Sequence, residues 1–198
     1  VFSMIMGVIV ASPPPPAIAV QKVGSQIESI SWNSCDGFAS ALSSFVGQNY
    51  GAKKIDRINK CTKYALIGVF IWGSLTTVIL VFLGQPIFKA FINEPEAILK
   101  GTDYLKILGY SQLFMCLEII VSGIFKGLGR TYIPSIIIAV LTGCRIPMAI
   151  LLSKPEVLGL NGIWWSITLS SVVKGILLVS ILIVLRKTHK LYKREDIV

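Results

Sequence analysis

The stretch SGIFKGLGRTYIP, residues 122–134, decides how the chain is read. Its glycines, lysine and threonine suggest a phosphate loop. The spacing does not: a phosphate loop needs GxxxxGK[ST] after a strand, and here Lys126 precedes Gly127 with no GK pair before Ser or Thr. The dinucleotide fingerprint fails as well, because position 132 is Tyr132 rather than a third glycine. The flanks give the better answer. LGYSQLFMCLEIIV (108–121) precedes it and SIIIAVLTGCRIPMAILL (135–152) follows it. Runs of this kind approach the ~20 apolar residues that cross a ~30 Å hydrocarbon core. The stretch is a turn between two membrane helices.

Composition agrees. The chain of 198 residues is 54% hydrophobic and 15% charged, against about a quarter charged in soluble domains. The expected fold is all-α, a polytopic transmembrane bundle of about five full spans plus a truncated N-terminal one. Apolar runs place the full spans near 18–50, 64–91, 104–126, 133–152 and 161–185; the truncated one is 1–11. PPPP (13–16) separates the first two as a stiff, extended turn. Residues 1–187 then form one transmembrane six-helix unit and 188–198 a basic tail. The net charge of +9 is confined to alternate connections: 51–63, 126–131 and the tail are rich in Lys and Arg, while 92–106 and 153–162 are mixed. That asymmetry puts the basic connections and the C-terminus in the cytoplasm. It also accounts for the charge without nucleic acid, leaving the lipid bilayer as the partner.

Chemistry is expected where charge lies inside a span, since each such group costs at least ~2.5–3.5 kcal/mol to insert. Lys22, Glu28, Asp36, Glu118, Arg145 and Lys174 qualify, and Lys22 is close enough to a helix end to snorkel. Gln21, Ser25, Glu28, Trp32 and Asp36 follow at helical steps on one face, which either lines a water-filled, cation-attracting cavity or packs against a neighbour. Glu118 either exchanges a cation or proton or balances a buried base, with Arg145 on the next span as its expected partner. Gln112, Arg145 and Lys174 are cavity or ion-pair candidates. Pro147, two residues after Arg145, frees a carbonyl and can kink its helix. Gly123 and Gly127 form a small-xxx-small face, and Gly127 with Gly129 permits the sharp turn. Cys35, Cys61, Cys116 and Cys144 are scattered, small apolar packers, and His189 is a solvated tail residue. No metal site, cofactor or enzymatic constellation is expected, as there is no nucleophile–base pair.

Three ordered segments carry a family resemblance. AIAVQKVGSQIESISWNSCDGFASALSSFVGQNYGAKK (17–54) resembles the second helix of a repeat in multidrug and toxic compound extrusion (MATE) transporters, with its VGQNxGA-like end before a basic loop. SGIFKGLGRTYIPS (122–135) and GLNGIWWSITLS (159–170) resemble two further motifs of that family, in the right order. The resemblance covers nearly the whole chain and implies one six-helix lobe, the C-terminal one, of a twelve-helix transporter. It also implies export of organic, often cationic compounds in exchange for Na⁺ or H⁺, with the other lobe as partner. Such a transporter sits in the cell membrane, and Glu118, Asp36 and Glu28 are its candidates for cation coupling. A lipid-linked oligosaccharide flippase of related fold, or an inactive truncated lobe acting only as a membrane interaction protein, are the alternatives. A single lobe has nothing to rock against, as alternating access requires.

Overall fold

In a computed structural model the described residues are 15–153, 160–188 and 192. They form α1 (Pro15–Gly51), α2 (Ile55–Phe82), a short α3 (Gly84–Lys89), α4 (Pro95–Gly127), α5 (Tyr132–Leu152) and α6 (Leu160–Lys187). No strand occurs among the described residues, and the chain is an all-α membrane helical bundle. The expected first span, 1–11, and most of the basic tail lie outside the described residues.

Four helices, α2, α4, α5 and α6, are long and apolar enough to cross a membrane. Helix α1 is longer, 37 residues, yet too polar to meet the same measure. Its composition explains this: an exposed stripe of Ser25, Asn33, Asp36, Gly37, Ser40, Ser44 and Gln48 runs along it. Its other side is a buried seam at helical spacing, with Val20, Ile27, Ser31, Cys35, Ala39, Leu42 and Val46.

Boundaries differ from the expected ones for local reasons. The proline run does not stay extended, because its second half opens α1, where a missing N–H costs nothing. Pro95 likewise opens α4 after extended Glu94, so most of the expected outer loop 92–106 is helix, with Lys100 on Glu96 at 2.7 Å. The basic segment 51–63 is largely the first turns of α2. The expected span 64–91 is split, α2 ending at Phe82 before Gly84 and Pro86 begin α3. Helix α5 continues through Pro147 to Leu152.

Two turns close in the same way. After α4 the Arg130 N–H bonds the Phe125 carbonyl at 2.9 Å and the Gly129 N–H bonds that of Lys126 at 3.0 Å, with Gly129 at φ +74°. This is a Schellman cap with glycine where the backbone is left-handed. After α1 the Lys54 N–H bonds the Asn49 carbonyl and Lys53 bonds Tyr50, but the left-handed residue is Lys53, at φ +56°.

Helix α4 is the centre. It packs along α1, α2 and α6, while α5 leans on α6 and scarcely touches α4. Matching contacts at both ends show that α1, α4 and α6 run parallel: Tyr104 meets Gly24 and Gly123 meets Ala39, while Thr168 bonds the Ile107 carbonyl and Gly175 meets Phe114. Close approach comes from glycine. A Cβ on Gly123 would stand 2.7 Å from the Ala39 carbonyl oxygen, and one on Gly127 2.5 Å from that of Ser43. The outward faces of α2 and α5 carry large exposed apolar side chains, among them Phe70, Ile71, Phe82, Ile136 and Val140. Bilayer is their solvent.

Candidate functional site

Where α4 and α6 cross, two charges leave solvent together. Glu118 accepts a hydrogen bond from the Lys174 ammonium at 3.1 Å, with the side chains 9% and 8% exposed. The expected partner, Arg145, is not bonded to Glu118. Its Nε donates to Ser170 Oγ at 2.9 Å and its Nη2 to Ser171 Oγ at 3.5 Å. The reason is packing: Arg145 is on α5, which reaches α6 rather than α4, so the next span in sequence is not the neighbour in space. Ser170 and Ser171 precede Lys174 by one turn, so the guanidinium and the ammonium share one face of α6. Ser170 in turn donates to the Ile167 carbonyl at 2.9 Å.

The cluster therefore joins one acid and two bases from three helices. Its satisfaction is incomplete: Glu118 Oε2 is buried without a hydrogen-bond partner, as is Ser122 Oγ one turn further along α4. A buried carboxylate oxygen with a free lone pair is a place for a proton or a small cation. Gln112 does not belong to this group. It is 1% exposed and its Nε2 is unpartnered, but six positions from Glu118 it stands about a third of a turn (~120°) away round α4.

The expected acidic stripe of α1 is not brought to Glu118. Glu28 is half-buried near the start of α1 and accepts from the Tyr104 hydroxyl of α4 at 3.2 Å. Tyr104 in turn meets Trp164 of α6 edge to face, ring centroids 5.2 Å apart. Asp36 and Trp32 are exposed on the surface of the bundle. The stripe as read straddles two surfaces, since the buried seam runs through Ile27, Ser31 and Cys35, one residue before Glu28, Trp32 and Asp36. Tyr104 was missed by sequence reasoning. It lies seven residues before Ser111 and fourteen before Glu118, on their face of α4, which is the signal that points to it.

Cys116 lies 3.8 Å from the Ser31 hydroxyl, and Cys35, one turn after Ser31 in the same seam, is buried. No group of three or more metal-ligating side chains occurs among the described residues.

The described residues thus form a helical membrane bundle with charged groups paired in its interior. The MatE family model matches residues 1–151, and the chain belongs to that family. The probable multidrug resistance protein NorM of Thermotoga maritima is 27% identical over 150 residues, 75% of this chain and 32% of that protein. The probable multidrug resistance protein YoeA of Bacillus subtilis is 26% identical over 125 residues, 63% of this chain and 27% of that protein. Among solved structures, the Vibrio cholerae MATE transporter VcmN in its bent form superposes with a TM-score of 0.85 at 19% identity, over 98% of this chain and 44% of VcmN. A Pyrococcus furiosus transporter of the MOP superfamily gives 0.83 at 18% identity, over 91% of this chain and 40% of that one. The chain thus spans about a third of the length of the curated relatives it matches.

Proposed function

We propose that this chain forms one lobe, the C-terminal one, of a cation-coupled antiporter that exports organic, cationic, drug-like compounds in exchange for Na⁺ or H⁺. The carrying observation is the Glu118–Lys174 pair, buried at the centre of a lobe with MATE architecture and holding one carboxylate oxygen without a partner. A group with two protonation or ligation states at that depth is what coupling needs. The second lobe supplies the opposing wall, because transport in such folds moves one bundle against another. The protein sits in the cell membrane with 51–63, 126–131 and the C-terminus cytoplasmic, as the Lys/Arg asymmetry favours. No cofactor beyond the coupling ion enters this scheme.

The flippase alternative asks for a basic cavity open to an anionic headgroup. Lys174 is instead buried against Glu118, and Arg145 is tied to two serines, which favours the antiporter. The test is efflux of a cationic dye from cells carrying the full natural chain, with and without an imposed Na⁺ or proton gradient. Gradient-dependent efflux that is lost in Glu118→Gln, and stays lost in Glu118→Gln with Lys174→Met although that double variant regains wild-type membrane abundance, supports the reading. Efflux indifferent to either gradient, or unchanged in Glu118→Gln, overturns it.

A further inference from the structure

Between α1 and α2, outside the charged cluster, lies a groove of about 610 Å³. That is within the range of ~300–1,000 Å³ typical of small-molecule sites. Phe38 and Phe45 of α1 face Tyr64, Gly68, Trp72 and Leu75 of α2 across it, and its walls are almost wholly apolar. It opens outward: Phe38 and Tyr64 are each 70% exposed and Leu75 50%. A Cβ added to Gly68 would meet nothing within 4 Å, so the groove is empty where the glycine faces it.

One end of the groove is charged. On α2, Arg57, Lys60, Tyr64, Gly68, Ile71 and Leu75 follow at steps of three and four, so the two cations continue the groove's own face past its aromatic end. Both are exposed. Lys53, Lys54 and Lys63 stand in the same turn and first coils, five cations in 51–63 against the single acid Asp56. An apolar channel running along two helices and ending in a basic rim is complementary to one kind of molecule, an acyl chain with an anionic head.

We propose that the α1–α2 groove is a binding site for an anionic phospholipid, its acyl chain against Phe38, Phe45, Tyr64 and Trp72 and its phosphate at Arg57 and Lys60. The site lies on α1, whose other face carries the polar stripe, so an occupant bears on the helix that presents Asp36.

The full natural chain is purified in detergent, and retained phosphatidylglycerol and phosphatidylcholine are compared by native mass spectrometry. Lipids brominated on the acyl chain then report contact through quenching of Trp72, read against Trp72→Phe. The wild type retains phosphatidylglycerol over phosphatidylcholine roughly tenfold, and added salt weakens that preference. Arg57→Gln with Lys60→Gln, both on the surface, keeps acyl-chain quenching and loses the preference. Gly68→Phe, at a position where an added Cβ meets nothing within 4 Å, puts a ring into the groove and is expected to remove Trp72 quenching by both lipids. Equal retention of the two lipids by the wild type overturns the proposal. So does quenching in Gly68→Phe equal to the wild type. Absence of quenching by either lipid also overturns it, and means that another part of the protein covers the groove.

Discussion

Lys174 and Glu118 meet at 3.1 Å across the α4–α6 crossing, each less than a tenth exposed. Removing one charge from such a pair leaves the other uncompensated, at ~3–5 kcal/mol, while replacing both costs far less. Lys174→Met and Glu118→Gln are each expected to lower thermal stability in detergent. The double variant recovers most of the loss. Glu118→Gln combined with Arg145→Gln does not, because Arg145 is held by Ser170 and Ser171 instead. Recovery with Arg145 and not with Lys174 refutes the pairing.

Gly123 and Gly37 are both helix-interior glycines with opposite surroundings. A Cβ at Gly123 runs into Ala39, whereas one at Gly37 meets nothing within 4 Å. Gly123→Ala is expected to cost about 1–3 kcal/mol by overpacking. Gly37→Ala gains up to ~1 kcal/mol from the better helix former. Chemical denaturation of the two variants separates them, and equal midpoints contradict the close α1–α4 contact.

Lys53 holds a left-handed backbone at φ +56° in a cap that glycine fills after α4. A side chain there costs roughly 1–2 kcal/mol. Lys53→Gly is expected to raise stability by about 1 kcal/mol, read as a higher melting temperature. A fall shows that the lysine has a partner worth more than the strain.

Tyr192, in the tail, donates its hydroxyl to Asn59 Oδ1 at 2.7 Å, and its carbonyl accepts from the Tyr50 hydroxyl at 3.4 Å. Burial holds its phenol above its ordinary value. For an acid raised on folding, the contribution is present below the unfolded value of ~10 and is lost as pH rises through the folded one. Tail release by protease is therefore expected to be flat from neutral pH to about 10 and to increase above it. Tyr192→Phe raises release at every pH. A response near neutrality points to another group.

Single cysteines placed at Arg57 and Glu96, with Cys35, Cys61, Cys116 and Cys144 replaced, test the orientation. Impermeant reagent is expected to reach position 96 and not 57 in intact cells, as the charge asymmetry requires. The reverse pattern inverts the topology.

The helices were legible because most of their apolar runs are long, and the turn at Gly129 because glycine ends a helix there; the start of α4 was not, since Pro95 opens it inside what reads as an outer loop. Glu118, Arg145 and Lys174 were legible as interior charges that need partners, because charge within a span is expensive wherever it sits. Who pairs with whom was not. Helical periodicity gives the face of each helix but not which helix lies opposite, and the parallel packing of α4 on α6 skips α5 altogether. The same gap hid Tyr104, whose partner Glu28 is 76 residues away, and Tyr192, whose partner Asn59 is 133 away. On α1 the face through Glu28, Trp32 and Asp36 lies beside the buried seam of Ile27, Ser31 and Cys35, since neighbours on a helix differ by ~100°.

Helix α1 enters biogenesis with a difficulty that its position behind α4 creates. Its seam is completed by Tyr104, Cys116, Gly123 and Gly127, all on a helix that begins at Pro95, after the whole of α2 and α3 has been synthesised. Its own hydropathy falls short of a span, so partitioning into lipid on its merits is disfavoured during that interval. It must be retained at the insertion machinery, or shielded, until α4 emerges from the ribosome and closes over Ala39 and Val46. A nascent chain arrested before Pro95 consequently exposes α1 to extraction and degradation, and one arrested after Gly127 does not.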